Sequence, residues 1–359
     1  MIYNCHIHTF KDSDIPRRFL PLGLVRILAS KTGFKVVSRG LNNLNPFSDN
    51  DTFDRYAKFV EIGKLGSQRR IFEECKRFYP DDTQFAILPM DMAFMGAGRV
   101  PREYEEQIKE LAELKIIYPQ IIPFIHIDPR RDGFFDLLKK SVEMWGFKGV
   151  KIYPPLGYFP YDERLYPVYE YCVNQNLPVI SHCSPYNPVH FKGSDQELHS
   201  LLSKSKNPIV FTGKNRKELC SNFTNPKNWE YVLNDFKNLR VCLAHFGSAY
   251  YWKEYLDNPG NEENWFVLIK DMIPKYEHLY TDISFTLNEQ EYFPLLKVLL
   301  SDKTLRDKIL FGSDYYMVET EATERRFALD LRAFIGESNF ESIAVNNPKI
   351  FFDNLGAQQ

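Results

Sequence analysis

Short apolar runs alternate with helical stretches along the chain, and this alternation limits the folds that the chain can adopt. Eight runs rich in branched and aromatic residues are predicted to be strands, at 1–5, 85–89, 121–127, 147–153, 177–181, 239–244, 279–283 and 308–312. Helical spacing of apolar residues precedes most of these runs, and two further helices are predicted at 321–334 and 341–352. Runs that are apolar throughout are typical of parallel strands covered on both faces. Eight such strands separated by helices predict a (β/α)8 barrel.

A doubly wound open sheet is the competing α/β architecture. Such a sheet ordinarily carries a glycine-rich phosphate-binding turn after its first strand. Here the first strand leads into HIHTFKDSD, which contains no glycine. We therefore expect one barrel domain over residues 1–359, with long insertions at about 10–66 and 184–226. Both insertions leave the carboxyl ends of strands, so each is a candidate lid or pocket wall. Surface decoration or a subunit contact is the alternative for both, and for residues 19–28 the two interpretations are equally supported.

Composition and charge argue against several classes of partner. The formal net charge is −2 and no segment is densely basic, so no nucleic-acid partner is expected. No apolar run reaches the roughly 18 residues of a membrane span, and the first residues lack the features of a secretory signal. The six cysteines form no Cys-x-x-Cys pair, which favours reduced thiols and a cytoplasmic location.

Residue types that bind metals stand at the carboxyl ends of five predicted strands. They are His6 and His8 after the first strand, Lys151 in the fourth, and His182, His245 and Asp314 at the fifth, sixth and eighth. Side chains alternate faces along a strand, so His6 and His8 point the same way, and Cys5 and Ile7 are expected to pack against the helices. In a barrel the carboxyl ends of all strands meet at one face. Imidazole and carboxylate ligands together suit zinc, with manganese or iron as alternatives.

The order of these residues resembles that of the amidohydrolase superfamily of metal-dependent (β/α)8 enzymes, and in particular its amidohydrolase 2 branch. The resemblance rests on GFKGVKIYPP, YPVYEYCVNQNLPVISHC, NLRVCLAHFG, KILFGSDY and the closing VNNPKIFFDN. It spans nearly the whole chain outside the two insertions. It implies that His6, His8, His182 and Asp314 bind a divalent metal, and that Asp314 also accepts the proton of the attacking water.

The number of metal ions depends on His245 and Lys151. In single-metal relatives the residue that matches His245 is an acid/base or orients the substrate, whereas in two-metal relatives it binds the second ion. A lysine ammonium cannot bind a metal, so Lys151 would have to be carboxylated to bridge two ions, as its similarity to the dihydroorotase setting implies. The alternative is an ordinary lysine that anchors a substrate carboxylate. One ion and two ions both remain open.

Residues beyond the third and fifth strands are candidates for substrate binding. His126 ends the third strand, and Arg130 or Arg131 just after it could hold a substrate carboxylate with two hydrogen bonds. Solvated surface charge is the commoner role of such arginines. Tyr186 follows the fifth strand on the second insertion and is a candidate pocket residue.

The resemblance implies that metal-activated water hydrolyses an amide, lactone or related C–N or C–O bond of a small molecule. The same branch includes non-oxidative decarboxylases and hydratases of small unsaturated or aromatic acids, and the metal motifs do not separate these reactions. Phosphoesterases of the polymerase-and-histidinol-phosphatase family also open with His-x-His-Thr, but GSDYYMVE lacks the histidine that typically follows their last Ser-Asp. A barrel that binds metal without catalysis is the non-enzymatic alternative. Related enzymes are often dimers, so a homodimer is an open expectation.

Overall fold

Eight parallel strands form a barrel in the computed structural model, which describes residues 1–19, 58–186, 191–213, 215–288, 290–320 and 323–353. The strands are β1 (Tyr3–Ile7), β2 (Gln84–Ile87), β3 (Ile121–His126), β4 (Gly149–Ile152), β5 (Val179–His182), β6 (Val241–Ala244), β7 (Leu279–Asp282) and β8 (Ile309–Leu310). Each strand pairs in parallel with the next one along the chain. The backbone amide of Cys5 donates to the Phe311 carbonyl at 2.9 Å, and that of Asp314 donates to the His6 carbonyl at 2.8 Å, so the last strand meets the first. The predicted (β/α)8 barrel is confirmed.

Helices surround this barrel and connect its strands. They are α1 (Gln68–Lys76), α2 (Tyr104–Ile117), α3 (Phe134–Glu143), α4 (Tyr166–Asn174), α5 (Asp195–Leu202), α6 (Arg216–Ser221), α7 (Asn228–Asp235), α8 (Ser248–Asp257), α9 (Trp265–Met272), α10 (Phe293–Leu299), α11 (Lys303–Arg306), α12 (Glu324–Ile335), α13 (Glu337–Glu341) and α14 (Asn347–Asp353). None of the helices in the described ranges is long and apolar enough to cross a lipid bilayer.

The second insertion contains two helices that the sequence analysis did not predict. The Ser194 side chain accepts a hydrogen bond from the Glu197 amide while Glu197 reaches back to the Ser194 amide, which forms a capping box at the start of α5. The Asn215 side chain caps α6 by accepting from the Lys217 amide. Ser-x-x-Glu was therefore a readable signal for a helix start. Most of the first insertion lies outside the described residues.

Strand residues divide between two apolar cores, one inside the barrel and one under the helices. Phe124, Ile180 and Leu310 belong to the inner cluster, together with Phe351 of α14. Phe352 stacks on Tyr3 with ring centroids 5.9 Å apart. Helix α14 therefore closes the amino-terminal end of the barrel, and the opposite end is left for chemistry.

An irregularity in β1 changes which side chains face the interior. Ile7 packs in the outer core, as predicted, but Cys5 lies in the inner cluster, so the prediction for Cys5 is wrong. The pairing register between β1 and β2 shifts between Asn4 and Ile7. Such a shift breaks the simple alternation of faces on which the prediction for Cys5 rested.

Gly149 in β4 leaves the space that the ring of Phe124 occupies inside the barrel. A Cβ atom at Gly149 would lie 2.3 Å from a carbon of that fully buried ring. We expect Gly149→Ala to lower the free energy of unfolding by about 1–3 kcal/mol, because overpacking forces the ring or the strand to shift. Urea denaturation followed by circular dichroism measures this loss.

Gly260→Ala is the matched control for that substitution. Its Cβ would meet only the Asn258 side chain, at 4.0 Å. The control should stay within about 0.5 kcal/mol of the wild type. Equal losses in the two variants would contradict the packing argument.

Candidate metal centre

The predicted ligands that follow β1, β5, β6 and β8 converge at the carboxyl end of the barrel. Nε2 of His8 lies 3.2 Å from Oδ1 of Asp314, and Nε2 of His6 lies 3.9 Å from the same oxygen. Nε2 of His245 lies 3.0 Å from Nδ1 of His182. The rings of His6 and His245 have centroids 4.9 Å apart, which joins the two pairs. None of these five residues is more than 8% exposed.

The carboxylate of Asp314 is the group in this cluster that most clearly fits a cation. Its buried Oδ1 forms no hydrogen bond of good geometry with any residue that the structure describes. Burial raises the pKa of Asp314, but the interaction with His8 and the neighbouring His6 and His245 outweigh it and leave the pKa below its usual value. A buried carboxylate oxygen without a donor is rare and calls for an explanation. The ligand atoms of His6, His8 and Asp314 lie within 4.8 Å of one another, so one divalent ion fits among them.

Hydrogen bonds on the far side of the rings hold His6 and His8 in the tautomer that binds metal. Nδ1 of His8 donates to the Leu88 carbonyl at 2.7 Å, and Nδ1 of His6 donates to Oδ2 of Asp282 at 2.9 Å. Each Nε2 atom therefore keeps its lone pair and faces Asp314. Burial and the nearby charge of Lys151 lower the pKa of His6 to about 3, so this ring is neutral.

His245 and His182 form the second half of the cluster. Nδ1 of His245 donates to the Ser284 carbonyl at 2.9 Å, so its Nε2 is left to accept from Nδ1 of His182. Burial lowers the pKa of His245, which keeps this imidazole neutral. With Nδ1 as the donor, the Nε2 atom of His182 carries a lone pair. A metal ion or a proton at Nε2 of His245 would have to displace the hydrogen bond from His182.

Asp282, at the end of β7, positions these rings and was not identified from the sequence. It is fully buried and accepts hydrogen bonds from the His6 ring, from the His245 amide at 2.9 Å and from the Ser284 amide at 3.0 Å. Burial raises its pKa, but His6 and these hydrogen bonds outweigh that effect and lower the pKa well below the usual range. Because Asp282 bonds to the Nδ1 side of His6, it orients a candidate ligand rather than competing for the same ion. A polar residue at a strand end, in LYTDIS, was the signal that could have revealed it.

Lys151 lies directly beneath the candidate ligands. It is fully buried, and its Nζ atom is 3.5 Å from Nε2 of His6. Burial lowers the pKa of this amine to about 8. A substantial fraction of the lysine is therefore uncharged in mildly alkaline solution, and only the uncharged amine is nucleophilic.

The side chain of Asn4 fixes the turn that carries Asp314. Its Oδ1 atom accepts from the amide of Ser313 at 3.1 Å and from that of His6 at 3.4 Å, while its Nδ2 atom donates to the Ser313 hydroxyl at 2.8 Å. These bonds add to the backbone hydrogen bond from the Asp314 amide to the His6 carbonyl, just beyond the end of β8. Asp314 itself has a φ of +62°, which non-glycine residues seldom adopt. Such a conformation persists only where the surroundings hold it in place.

A cavity of about 330 Å³ opens above the cluster, and it separates the predicted substrate-binding residues into two groups. Tyr186 lines this cavity together with His8, His182, His245 and Asp314. His126, Arg130 and Arg131 are not among the described residues on its wall. The structure therefore brings one of the four predicted substrate-binding residues to the candidate ligands.

Ion pairs account for the position of the two arginines. Nε of Arg130 donates to Oδ1 of Asp128 at 2.8 Å, and its Nη1 atom donates to the Leu156 carbonyl at 2.9 Å. Nε of Arg131 donates to Oδ2 of Asp91 at 2.5 Å. Both guanidinium groups are thus engaged by carboxylates of the protein. A substrate carboxylate would have to displace these partners.

His126 is buried away from the cavity wall. Its Nδ1 atom accepts a hydrogen bond from the Asp91 amide at 2.9 Å. Burial lowers the pKa of His126 to about 4, so the ring is neutral. Its buried Nε2 atom has no hydrogen-bond partner among the described residues, so a substrate-binding role for His126 stays a prediction.

Comparison with known proteins identifies the family. Residues 71–353 match the Amidohydrolase family, while no curated protein matches the chain in sequence. The structure resembles 4-oxalomesaconate hydratase from Rhodopseudomonas palustris, with a TM-score of 0.55 and 16% identity over 99% of this chain and 97% of that one. It also resembles 5-carboxyvanillate decarboxylase from Novosphingobium aromaticivorans, crystallised with manganese, with a TM-score of 0.57 and 11% identity over 98% and 96% of the two chains.

A third structure adds another metal to this comparison. An amidohydrolase from Burkholderia multivorans with bound zinc has a TM-score of 0.50 and 10% identity, over 98% of this chain and 99% of that one. At these identities the structural likeness shows a shared fold. The family match covers most of the chain and includes Lys151, His182, His245 and Asp314. The predicted membership is confirmed: this chain belongs to the amidohydrolase family of enzymes.

Proposed function

We propose that this enzyme hydrolyses an amide, lactone or related C–N or C–O bond of a small molecule, with a divalent ion held by His6, His8, His182 and Asp314. The observation that carries the proposal is the buried Oδ1 atom of Asp314, which has no hydrogen-bond partner among the residues that the structure describes and faces imidazole nitrogens with lone pairs. Three imidazoles and one carboxylate suit zinc best, which makes zinc the ion that we propose. Manganese and iron are the alternatives.

The residues around the ion would carry out the proton transfers. A bound divalent ion lowers the pKa of its water and polarises a substrate carbonyl. Asp314 is ionised, so its carboxylate can accept the proton of the attacking water and return it to the leaving group. His245 is neutral and held by the Ser284 carbonyl, which suits it to orient the substrate, to exchange a proton or to bind a second ion.

Lys151 sets the number of ions in this proposal. Its uncharged amine could add carbon dioxide and release one proton, and the resulting carbamate would supply two oxygen ligands between two ions. Its burial and its distance of 3.5 Å from Nε2 of His6 support this role. Without carbon dioxide the same amine would remain a positive charge beneath the substrate.

Metal content per chain, measured by elemental analysis, tests the proposal. Protein would be purified without chelators and with bicarbonate present, as wild type, as Lys151→Ala and as the control Lys148→Ala, which changes an exposed lysine just before β4. About two ions per chain in the wild type and in the control, with fewer in Lys151→Ala, would establish the bridged centre. One ion in all three proteins would exclude the bridge and make His245 the acid/base candidate. No bound metal in any of them would refute the proposed function.

Non-oxidative decarboxylation or hydration of a small unsaturated or aromatic acid is the second candidate function. The shared fold with the hydratase and the decarboxylase supports it. Release of carbon dioxide from a panel of such acids, without hydrolysis of amides or lactones, would select it over the first proposal. The absence of a histidine soon after Ser313-Asp314 makes a phosphoesterase the least supported alternative.

A further inference from the structure

The wall of the cavity above the candidate ligands is built mainly from aromatic rings and methionines. Phe10 packs against His8 with ring centroids 5.4 Å apart, and Tyr153 packs against His182 at 4.6 Å. These two rings adjoin the place where a bond under attack would lie. Any group attached to the reacting carbon would therefore meet carbon-rich surface immediately beyond the ligands.

The aromatic rings of the wall also pack against one another and against a ring behind them. Phe10 packs on the buried ring of Tyr316 at 4.9 Å, and Tyr316 packs on Phe59 at 5.1 Å. On the opposite side Tyr186 and Tyr250 pack edge to face at 5.1 Å. Apolar pockets with a few polar groups are typical of small-molecule sites, and about 330 Å³ lies at the small end of their range.

Asp314 carries a negative charge where the cavity meets the candidate ligands, but the described part of the wall offers no positive charge. No lysine or arginine occurs among the described residues that line the cavity, and Arg130 and Arg131 are paired with Asp128 and Asp91 elsewhere. A second carboxylate on a substrate would lose its hydration there without gaining a counter-charge. The hydroxyl of Ser248 also lines the cavity, and its buried Oγ atom has no partner among the described residues. A hydroxyl of this kind can satisfy an uncharged hydrogen-bonding group.

We infer that the cavity accepts an uncharged substrate about one ring in size, whose flat apolar group lies against Phe10 and Tyr153 while the reacting carbonyl faces the metal ligands. This inference rests on the proposed function, since it assumes that the metal centre is the reaction site. It favours neutral amides, lactones and aryl esters over substrates that carry a carboxylate away from the reacting carbon.

Hydroxamic acids test the inference without knowledge of the natural substrate, because the hydroxamate group binds zinc and the rest of the molecule probes the wall. Binding of benzohydroxamic, acetohydroxamic and 4-carboxybenzohydroxamic acid to zinc-loaded and zinc-free enzyme would be measured by isothermal titration calorimetry. We expect the phenyl compound to bind the zinc-loaded enzyme about tenfold or more tightly than the methyl compound, because its ring is buried. The carboxylated compound should bind about tenfold or more weakly than the phenyl compound.

Failure of the inference and failure of the proposed metal centre would give different results. The inference is wrong if either the carboxylated or the methyl compound binds the zinc-loaded enzyme as tightly as the phenyl compound. That result would not contradict the proposed metal centre. If no compound distinguishes zinc-loaded from zinc-free enzyme, the proposed metal centre itself is wrong.

A substitution in the wall gives a second and independent measurement. Met317 lines the cavity, and Met317→Arg would place a positive charge on the wall. We expect this variant to bind the carboxylated compound more tightly than the phenyl compound, which reverses the wild-type order. A folded variant that keeps the wild-type order would overturn the inference, and the wild-type titrations decide it if the variant does not fold.

Discussion

Asp314→Asn is expected to lower metal affinity by at least about a hundredfold and hydrolytic activity by about a hundredfold to ten-thousandfold. The amide keeps the shape of the side chain but removes the negative charge that faces His6 and His8. Titration of apoprotein with zinc against a fluorescent chelator measures the affinity. Asp257→Asn, at an exposed position near the end of α8, is the control and should leave the affinity unchanged.

The same variant separates a ligand from a structural residue. In the absence of metal, Oδ1 of Asp314 contributes no hydrogen bond to the described protein. The metal-free Asp314→Asn protein should therefore melt close to the wild-type temperature, whereas the added stability from zinc should be lost. Wild-type affinity in this variant would remove Asp314 from the ligand set.

Asp282→Ala is expected to lower the free energy of unfolding by about 3–5 kcal/mol. The substitution removes the buried acceptor for the His6 ring and for the amides of His245 and Ser284. The Ser284 hydroxyl, 3.1 Å from Nδ1 of His6, would remain beside that ring, but the two amides would lose the carboxylate that they bond. Equilibrium denaturation of the metal-free protein measures the loss. A loss below about 1 kcal/mol would show that water or a neighbouring group replaces the carboxylate.

Asp282→Asn distinguishes the orienting role of this residue from its contribution to stability. The oxygen of an asparagine can still accept from the two amides, but its nitrogen would face Nδ1 of His6 and favour the other tautomer of that ring. Nε2 of His6 would then carry a proton and lose its ligand lone pair. We expect metal affinity to fall about ten- to a hundredfold with a smaller loss of stability than in Asp282→Ala. Unchanged affinity would mean that His6 is not a ligand.

Most of the barrel could be predicted because the signal for each strand lies within a few neighbouring residues of the sequence. A buried parallel strand needs a short apolar run, and the residue after the run marks the carboxyl end of the barrel. That rule predicts the positions of His182, His245 and Asp314 from the sequence. The same rule applies to Asp282, which follows the apolar residues of β7.

The features that could not be predicted depend on contacts between distant segments. The inward position of Cys5 follows from a shift in the pairing register between β1 and β2. That register depends on contacts between the two strands and cannot be read from β1 alone. Arg131 is held by Asp91, whose position beside it is visible only in the folded chain. Arg130 pairs with Asp128 two residues earlier, so that pairing was readable from DPRR and favoured the surface-charge interpretation.

The hydrogen bonds between Asn4 and Ser313 join residues that are 309 positions apart, and three of the candidate ligands, His6, His8 and Asp314, lie on the same two segments. During translation His6 and His8 leave the ribosome long before Asp314, so a nascent chain holds only part of the ligand set until the last strand emerges. Under the proposed function, the complete ligand set therefore forms only after the last strand has been synthesised. A bound ion would then link the first strand to the last, and free metal at a thousand times its dissociation constant would add about 4 kcal/mol to the free energy of unfolding. Removal of metal should accordingly lower the unfolding temperature of this protein.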